Sequence, residues 1–182
     1  MQLIKSVVAK WEKKCTKIPF LFKLYSWPYK GILEKEIELA NISSEDKVLN
    51  IGCGAMPFTA VYLAQLTGAE VWAVDRDQEV IERAKSCVRS LGLEDQIKVV
   101  EGDGADFTPG FFTAALVALQ AEPKTEILEN LLDHSKDGAR FVFRAARASF
   151  ASQYDQLATK YKPNRQVKQK MITFDKSVLF IK

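Results

Sequence analysis

The 182-residue sequence has one histidine, His134, and only three cysteines, Cys15, Cys53 and Cys87. The cysteines are odd in number, widely spaced and free of any CxxC or Cys/His cluster, so neither a disulfide framework nor a metal site is expected. Long apolar runs are missing too. The longest, Ala114 to Leu119, falls far short of the ~20 residues that cross a bilayer. No charged segment followed by an apolar stretch opens the chain as a signal peptide would. The expectation is a cytoplasmic protein without a transmembrane segment. No internal repeat or low-complexity tract occurs. With 47% hydrophobic and 27% charged residues, the chain has enough apolar material for one domain with a full core and is short for two.

Charge is unevenly distributed. Residues 1–30 carry seven Lys/Arg against one acid, residues 156–182 carry seven against one, and with a net charge of +3 the middle is therefore −9. Basic ends favour nucleic acid, so RNA is one candidate partner. However, the run "KYKPNRQVKQK" lacks the interleaved aromatics of a single-strand platform and reads first as a solvated loop. At the N-terminus, Leu3, Ile4, Val7, Val8, Trp11, Cys15 and Ile18 recur at helical spacing between lysines, the pattern of a basic amphipathic helix. Such a helix packs on the domain's own flank, on a second subunit as in a homodimer, or on a membrane surface. Pro28 and Gly31 are expected to break the pattern before "ILEKEIELANI" resumes it as a second helix.

From Lys47 the chain alternates strand and helix: "KVLNI", Pro57 to Leu66, "AEVWAV", Gln78 to Leu91, "IKVV", "TAALVAL", Pro123 to His134 and "ARFVFRA". Strands rich in Val, Ile, Leu and Ala between helical segments indicate βαβ units and a parallel sheet covered on both faces. Pro57 and Pro123 suit helix starts, and Asp77 or Asp75 suits the cap of the helix after "AVDRD". The segment "GADFTPGFF" leaves room for only a stunted crossover, its helix missing or reduced to a turn. The end, "RQVKQKMITFDKSVLFIK", reads as an antiparallel hairpin joined through "FDKS". The resulting organisation is a short helical cover over residues 1–46 and a nucleotide-binding α/β domain over 47–182.

Gly52 and Gly54 lie between a buried strand and a helix, where missing side chains allow a sharp bend and close approach of a ligand. Asp75, with Arg76 beside it, ends the second strand, where a carboxylate can accept both ribose hydroxyls of an adenosine. Asp103 and Gly104 follow the third strand, where an adenine amino group can be read. Ala118 and Leu119 end the fourth, and Asn50 and Cys53 complete the glycine turn. Strand ends converging on one crevice are where open α/β sheets bind ligands. Asn50 stands where an acid is common. Met56 and Pro57 replace the glycine that a dinucleotide's pyrophosphate site requires.

These residues, with the terminal hairpin, resemble a class I S-adenosylmethionine-dependent transferase, which implies a Rossmann-like class I methyltransferase fold with a seven-stranded, mostly parallel sheet. More narrowly, "IGCGAMPFTAVYLA" is similar to the Gly-x-Gly-Pro-Leu-Pro-x-Thr turn of nicotianamine synthases and their opine-metallophore relatives. Gly52, Gly54, Pro57 and Thr59 match, and Ala55 departs. "AEPK" (Ala121 to Lys124) matches a second block, while "FVFRAARASF" and "WPYKGILEKE" are weaker likenesses. The resemblance implies transfer of the 3-amino-3-carboxypropyl arm of S-adenosylmethionine, as co-substrate, to a small amine or amino acid. It also implies a tyrosine and a glutamate near the reacting amine, which by position are Tyr29 and Glu36, with Tyr25 and Glu34 as alternatives. Arg144, or else Arg147, is expected to hold a substrate carboxylate. Methylation of a small molecule or RNA, and binding of S-adenosylmethionine without turnover, are the competing expectations. Only about 46 residues precede the nucleotide domain, where the family carries a substantial helical domain. The resemblance therefore leaves part of the substrate chamber absent, rebuilt from the basic first helix, or supplied by another subunit.

Overall fold

A computed structural model describes residues 19–107 and 111–182, with side chains from residue 29 onward. The basic amphipathic helix expected over Leu3 to Ile18 lies outside the described residues. Helix α1 (Pro19–Ala40) leads into strand β1 (Lys47–Ile51), α2 (Phe58–Thr67), β2 (Glu70–Asp75), α3 (Gln78–Ser90), β3 (Ile97–Glu101) and β4 (Ala114–Val117). After these come α4 (Lys124–His134), β5 (Arg140–Ala146), a short 3₁₀ helix (Ala148–Gln153), β6 (Arg165–Lys168) and β7 (Phe174–Ile181). The strands form one seven-stranded sheet in the order β3-β2-β1-β4-β5-β7-β6. Five, β1 to β5, are joined by parallel pairings, and β7 runs antiparallel to both β5 and β6. This is the expected Rossmann-like class I methyltransferase arrangement. None of the described helices is long and apolar enough to cross a membrane.

Alternation along the strands divides the core into two layers. Val48 and Ala73 face helices α1, α2 and α3, which contribute Leu33, Leu63, Ala64, Ala84 and Val88. Leu49, Ile51, Val117 and Phe143 face α4 through Ile127, Leu128 and Leu131. The crossover from β3 to β4 contains a single turn closed by Asp106 and Phe107 N–H groups on the Asp103 carbonyl. No helix is present in its described part, as the sequence suggests, and Phe107 and Phe112 help cover the sheet there.

Two expectations require correction. Pro28 and Gly31 do not divide the first helical region, because α1 continues through both. An interior proline costs a helix about 3 kcal/mol and a glycine about 1. Burial of Ile32, Leu33 and Leu39 contributes about 1.5–3 kcal/mol each, so packing outweighs propensity. The terminal hairpin turns at 169–173 rather than through "FDKS", which begins β7. Phe174 is buried in the core while Ile172 is 77% exposed, so burying the aromatic ring sets the end of the turn. Asp77 is the cap foreseen for α3, its Oδ1 accepting the Glu79 and Val80 N–H groups.

The end of α1 is fastened to the sheet by Asp46 and Arg140. Arg140 donates to the Ala40 and Asn41 carbonyls and pairs with Asp46, which also accepts from Thr113 Oγ1 at 2.7 Å and Ser43 N–H at 2.8 Å. Burial raises the Asp46 pKa, but the Thr113 and Ser43 hydrogen bonds and the Arg140 charge together hold it below the usual carboxylate range. A depressed folded value means that this stabilisation is full above the unfolded pKa, about 3.9, and fades as pH falls through the folded one. Asp46→Asn is expected to cost about 1–3 kcal/mol at neutral pH. Urea titrations at several pH values should show that deficit shrinking below about pH 4.

Candidate active site

The turn after β1 is built on positive φ angles at Gly52 (+74°) and Gly54 (+70°), a conformation that costs residues with a Cβ about 1–2 kcal/mol. Gly52 and Cys53 both donate their N–H groups to the Val74 carbonyl, so the Cys53 N–H is committed within the fold. Gly54 N–H donates to Asp75 Oδ2 at 3.0 Å, and Asp77 N–H to Asp75 Oδ1 at 3.2 Å. Asp75 is thereby fixed at the strand end with acceptor capacity on both oxygens to spare. Burial, reinforced by the Asp75 charge, pushes the Cys53 thiol far up; protonated, it is a packing group and not a nucleophile.

Two cavities open along the carboxyl ends of the parallel strands. The first, about 270 Å³, is lined by Gly52, Asp75, Arg76, Asp103, Gly104 and Gln120, among others. Asp103 is held by its own turn, Oδ1 accepting the Ala105 N–H. Asn130 Nδ2 reaches from α4 to the Gly104 and Phe107 carbonyls and braces that loop. Arg76 and Glu122 form an exposed pair at 3.4 Å. Asn50 lines neither cavity: it is buried, donates to the Leu116 carbonyl at 3.3 Å, and its Oδ1 has no partner among the described residues.

The second cavity, about 340 Å³, lies beside the first and shares Gly52 and Gln120 with it. Its wall includes Tyr29, Cys53, Gly54, Phe58, Thr59, Ala118, Leu119, Arg144, Tyr154 and Phe174. Tyr29 stacks on Phe58, with centroids 5.4 Å apart. Arg144 lies against the Phe174 ring and is gripped from behind. Its Nε and Nη2 donate to Glu36 Oε1 and Oε2 at 2.9 and 2.8 Å, and Nη2 also reaches Thr59 Oγ1 at 3.1 Å. Ser177 Oγ donates to Glu36 Oε1 at 2.6 Å, and Gln169 Nε2 reaches Ser177 Oγ and the Ile32 carbonyl. Glu36 is fully buried. Its oxygens face Arg144 and Ser177, and it does not line the cavity.

The structure therefore brings together Tyr29, Arg144 and the glycine turn, with Glu36 one layer behind them. Arg147 turns elsewhere, donating to the Met171 carbonyl, and Glu34 is exposed beside Lys30; the Tyr25 side chain lies outside the described residues. Four wall residues, Phe58, Gln120, Tyr154 and Phe174, escape sequence reasoning. Lys124 was visible only as the end of "AEPK". Only 2% exposed, it is pushed down in pKa by burial, against the opposing charges of Asp155 and Glu122.

A methyl group placed at Gly52 would stand 3.2 Å from the Ala118 Cβ and 3.3 Å from the Ala121 Cβ, whereas at Gly54 it would meet nothing. Gly54→Ala is expected to cost about 1–2 kcal/mol from its φ alone. Gly52→Ala should cost more, about 2–4 kcal/mol, because it also displaces the Ala118–Ala121 turn. Thermal denaturation of the two variants measures the difference.

Residues 22–172 match the family model described as nicotianamine synthase protein. L-histidine 2-aminobutanoyltransferase from Yersinia pestis is 31% identical over 120 residues, 66% of this chain and 45% of that protein. The chain thus spans less than half the length of this curated relative. Among solved structures, MtNAS in complex with MTA and tNA superposes with a TM-score of 0.82 at 21% identity, covering 94% of this chain and 68% of that one. An RNA methyltransferase from Salinibacter ruber in complex with S-adenosyl-L-homocysteine gives 0.69 at 16% identity, covering 83% and 90%. These two structures share the fold. The family model spans most of the chain, and the protein belongs to the nicotianamine synthase family.

Proposed function

We propose that the protein is an S-adenosylmethionine-dependent transferase that moves the 3-amino-3-carboxypropyl arm onto the amine of a small, carboxylate-bearing acceptor. The observation that carries this reading is the pair of adjoining cavities sharing Gly52 and Gln120. One has the carboxylates expected for a nucleoside, Asp75 and Asp103. The other has an aromatic wall and the buried guanidinium of Arg144. The L-histidine 2-aminobutanoyltransferases among the relatives support arm transfer over methylation.

In this reading Asp75 holds the ribose hydroxyls and Asp103 the adenine edge, with Arg76, Gly104, Ala118 and Leu119 shaping the site. S-adenosylmethionine supplies a sulfonium whose departure as a neutral thioether drives the transfer. The remaining work is alignment of nucleophile, carbon and sulfur, and handling of one proton. Arg144, whose Nη1 makes no hydrogen bond among the described residues, receives the acceptor carboxylate. Tyr29 orients the amine. Glu36, whose oxygens are taken by Arg144 and Ser177, serves by keeping the guanidinium in place. A C–N bond forms as the C–S bond breaks, methylthioadenosine leaves, and the amine's proton passes to solvent.

Incubation with S-adenosylmethionine and an amine panel containing L-histidine and histamine tests this reading. Methylthioadenosine as the sulfur product is the expected result, and S-adenosylhomocysteine would replace arm transfer with methylation. Tyr29→Phe should lower kcat about 10- to 100-fold. Arg144→Met should raise the KM for L-histidine at least about tenfold.

A further inference from the structure

Lys124 is an unusual residue to find buried, at 2% exposure. The chain leaves β4 in a tight turn, Ala118 to Ala121, closed by the Ala121 N–H on the Ala118 carbonyl at 3.2 Å. Ala118 is tied to β1 through the Ile51 carbonyl. The Lys124 ammonium, one turn further on at the start of α4, donates to the Leu119 carbonyl at 2.6 Å and the Ala121 carbonyl at 3.1 Å. Its backbone N–H is in turn held by Asp155. A charged donor on two carbonyls in a dry setting is a strong brace, and the residue between those carbonyls is Gln120.

Among the described residues Gln120 and Gly52 are the two that line both cavities, and of these only Gln120 has a side chain. With the nucleoside in the first cavity and the acceptor at Arg144 in the second, the substituents of the sulfonium cross this shared boundary. An amide there can donate to the arm's carboxylate and accept from its ammonium group. Resting on the transferase reading above, we infer that Lys124 is a positioning residue that locks the Ala118–Ala121 turn, so that Gln120 holds the aminocarboxypropyl arm between the two cavities. The "AEPK" block thereby acquires a role, as a brace for the residue just ahead of it.

Calorimetry with two ligands separates this role from a general structural one. Methylthioadenosine keeps the nucleoside and lacks the arm; S-adenosylmethionine has both. Gln120→Ala is expected to weaken S-adenosylmethionine about tenfold, one hydrogen bond to a charged group, while methylthioadenosine changes by less than about twofold. Lys124→Met should show the same selectivity, and the double variant should lose no more than Lys124→Met alone, the signature of residues acting as one unit. Equal losses for both ligands, or additive losses in the double variant, would overturn the inference. Gln120 is an exposed turn corner, so Gln120→Ala carries the test even if Lys124→Met fails to fold. A wild-type protein that binds neither ligand overturns the transferase reading as well. Wild-type binding with non-selective variants overturns only this inference.

Discussion

A guanidinium cannot be withdrawn from water without an anion to meet it, and one face of this molecule is organised by that constraint at Arg144. Removing one partner of a buried ion pair costs about 3–5 kcal/mol, so the elements that carry these groups are obliged to stay together. Glu36 comes from α1, Thr59 from α2, Arg144 from β5 and Ser177 from β7, with Gln169 from the hairpin turn adding a further bond. Four elements far apart in sequence thus meet at one charge. The pair is fork on fork, which fixes direction as well as position, and Arg144 remains part of the second cavity's wall.

The opposite side of the cleft depends on backbone, not charge. Val74 accepts from Gly52 and Cys53, and Asp75 accepts from Gly54, so the end of β2 shapes the turn after β1. The Ala118–Ala121 turn rests on Gly52, with no room for a methyl between them. Both turns sit at the carboxyl ends of adjacent parallel strands, where the sheet order steps from β1 to β2 on one side and to β4 on the other. This topology opens a crevice between diverging connections, and the crevice becomes two cavities because the turns nearly touch.

Much of this was legible in the sequence, for identifiable reasons. Strand and helix order followed from hydrophobic periodicity, and Asp77, Pro57 and Pro123 marked helix starts by local chemistry. Gly52, Gly54, Asp75 and Asp103 could be placed because each follows a recognisable strand. Other features depend on contacts between distant segments. Continuous α1 was hidden because Pro28 and Gly31 are local signals, whereas the burial that overrides them is tertiary. The same holds for Glu36, which reads as one of several acids on a helix until β5 delivers Arg144 to it, 108 residues away. Tyr154 reaches the second cavity from an irregular segment with no periodic pattern at all.

In the proposed reaction the Glu36–Arg144 pair is a device for reading an acceptor's carboxylate. The most direct measurement is the ratio of kcat/KM for an amino acid acceptor to that for its decarboxylated amine, in wild-type protein and in Glu36→Gln. The expected wild-type preference for the carboxylate-bearing acceptor is at least about tenfold, the worth of one charge-assisted contact. In Glu36→Gln that preference should collapse, mainly through KM. A variant that keeps the preference and loses kcat equally with both acceptors would contradict it, showing that Glu36 acts on the amine itself.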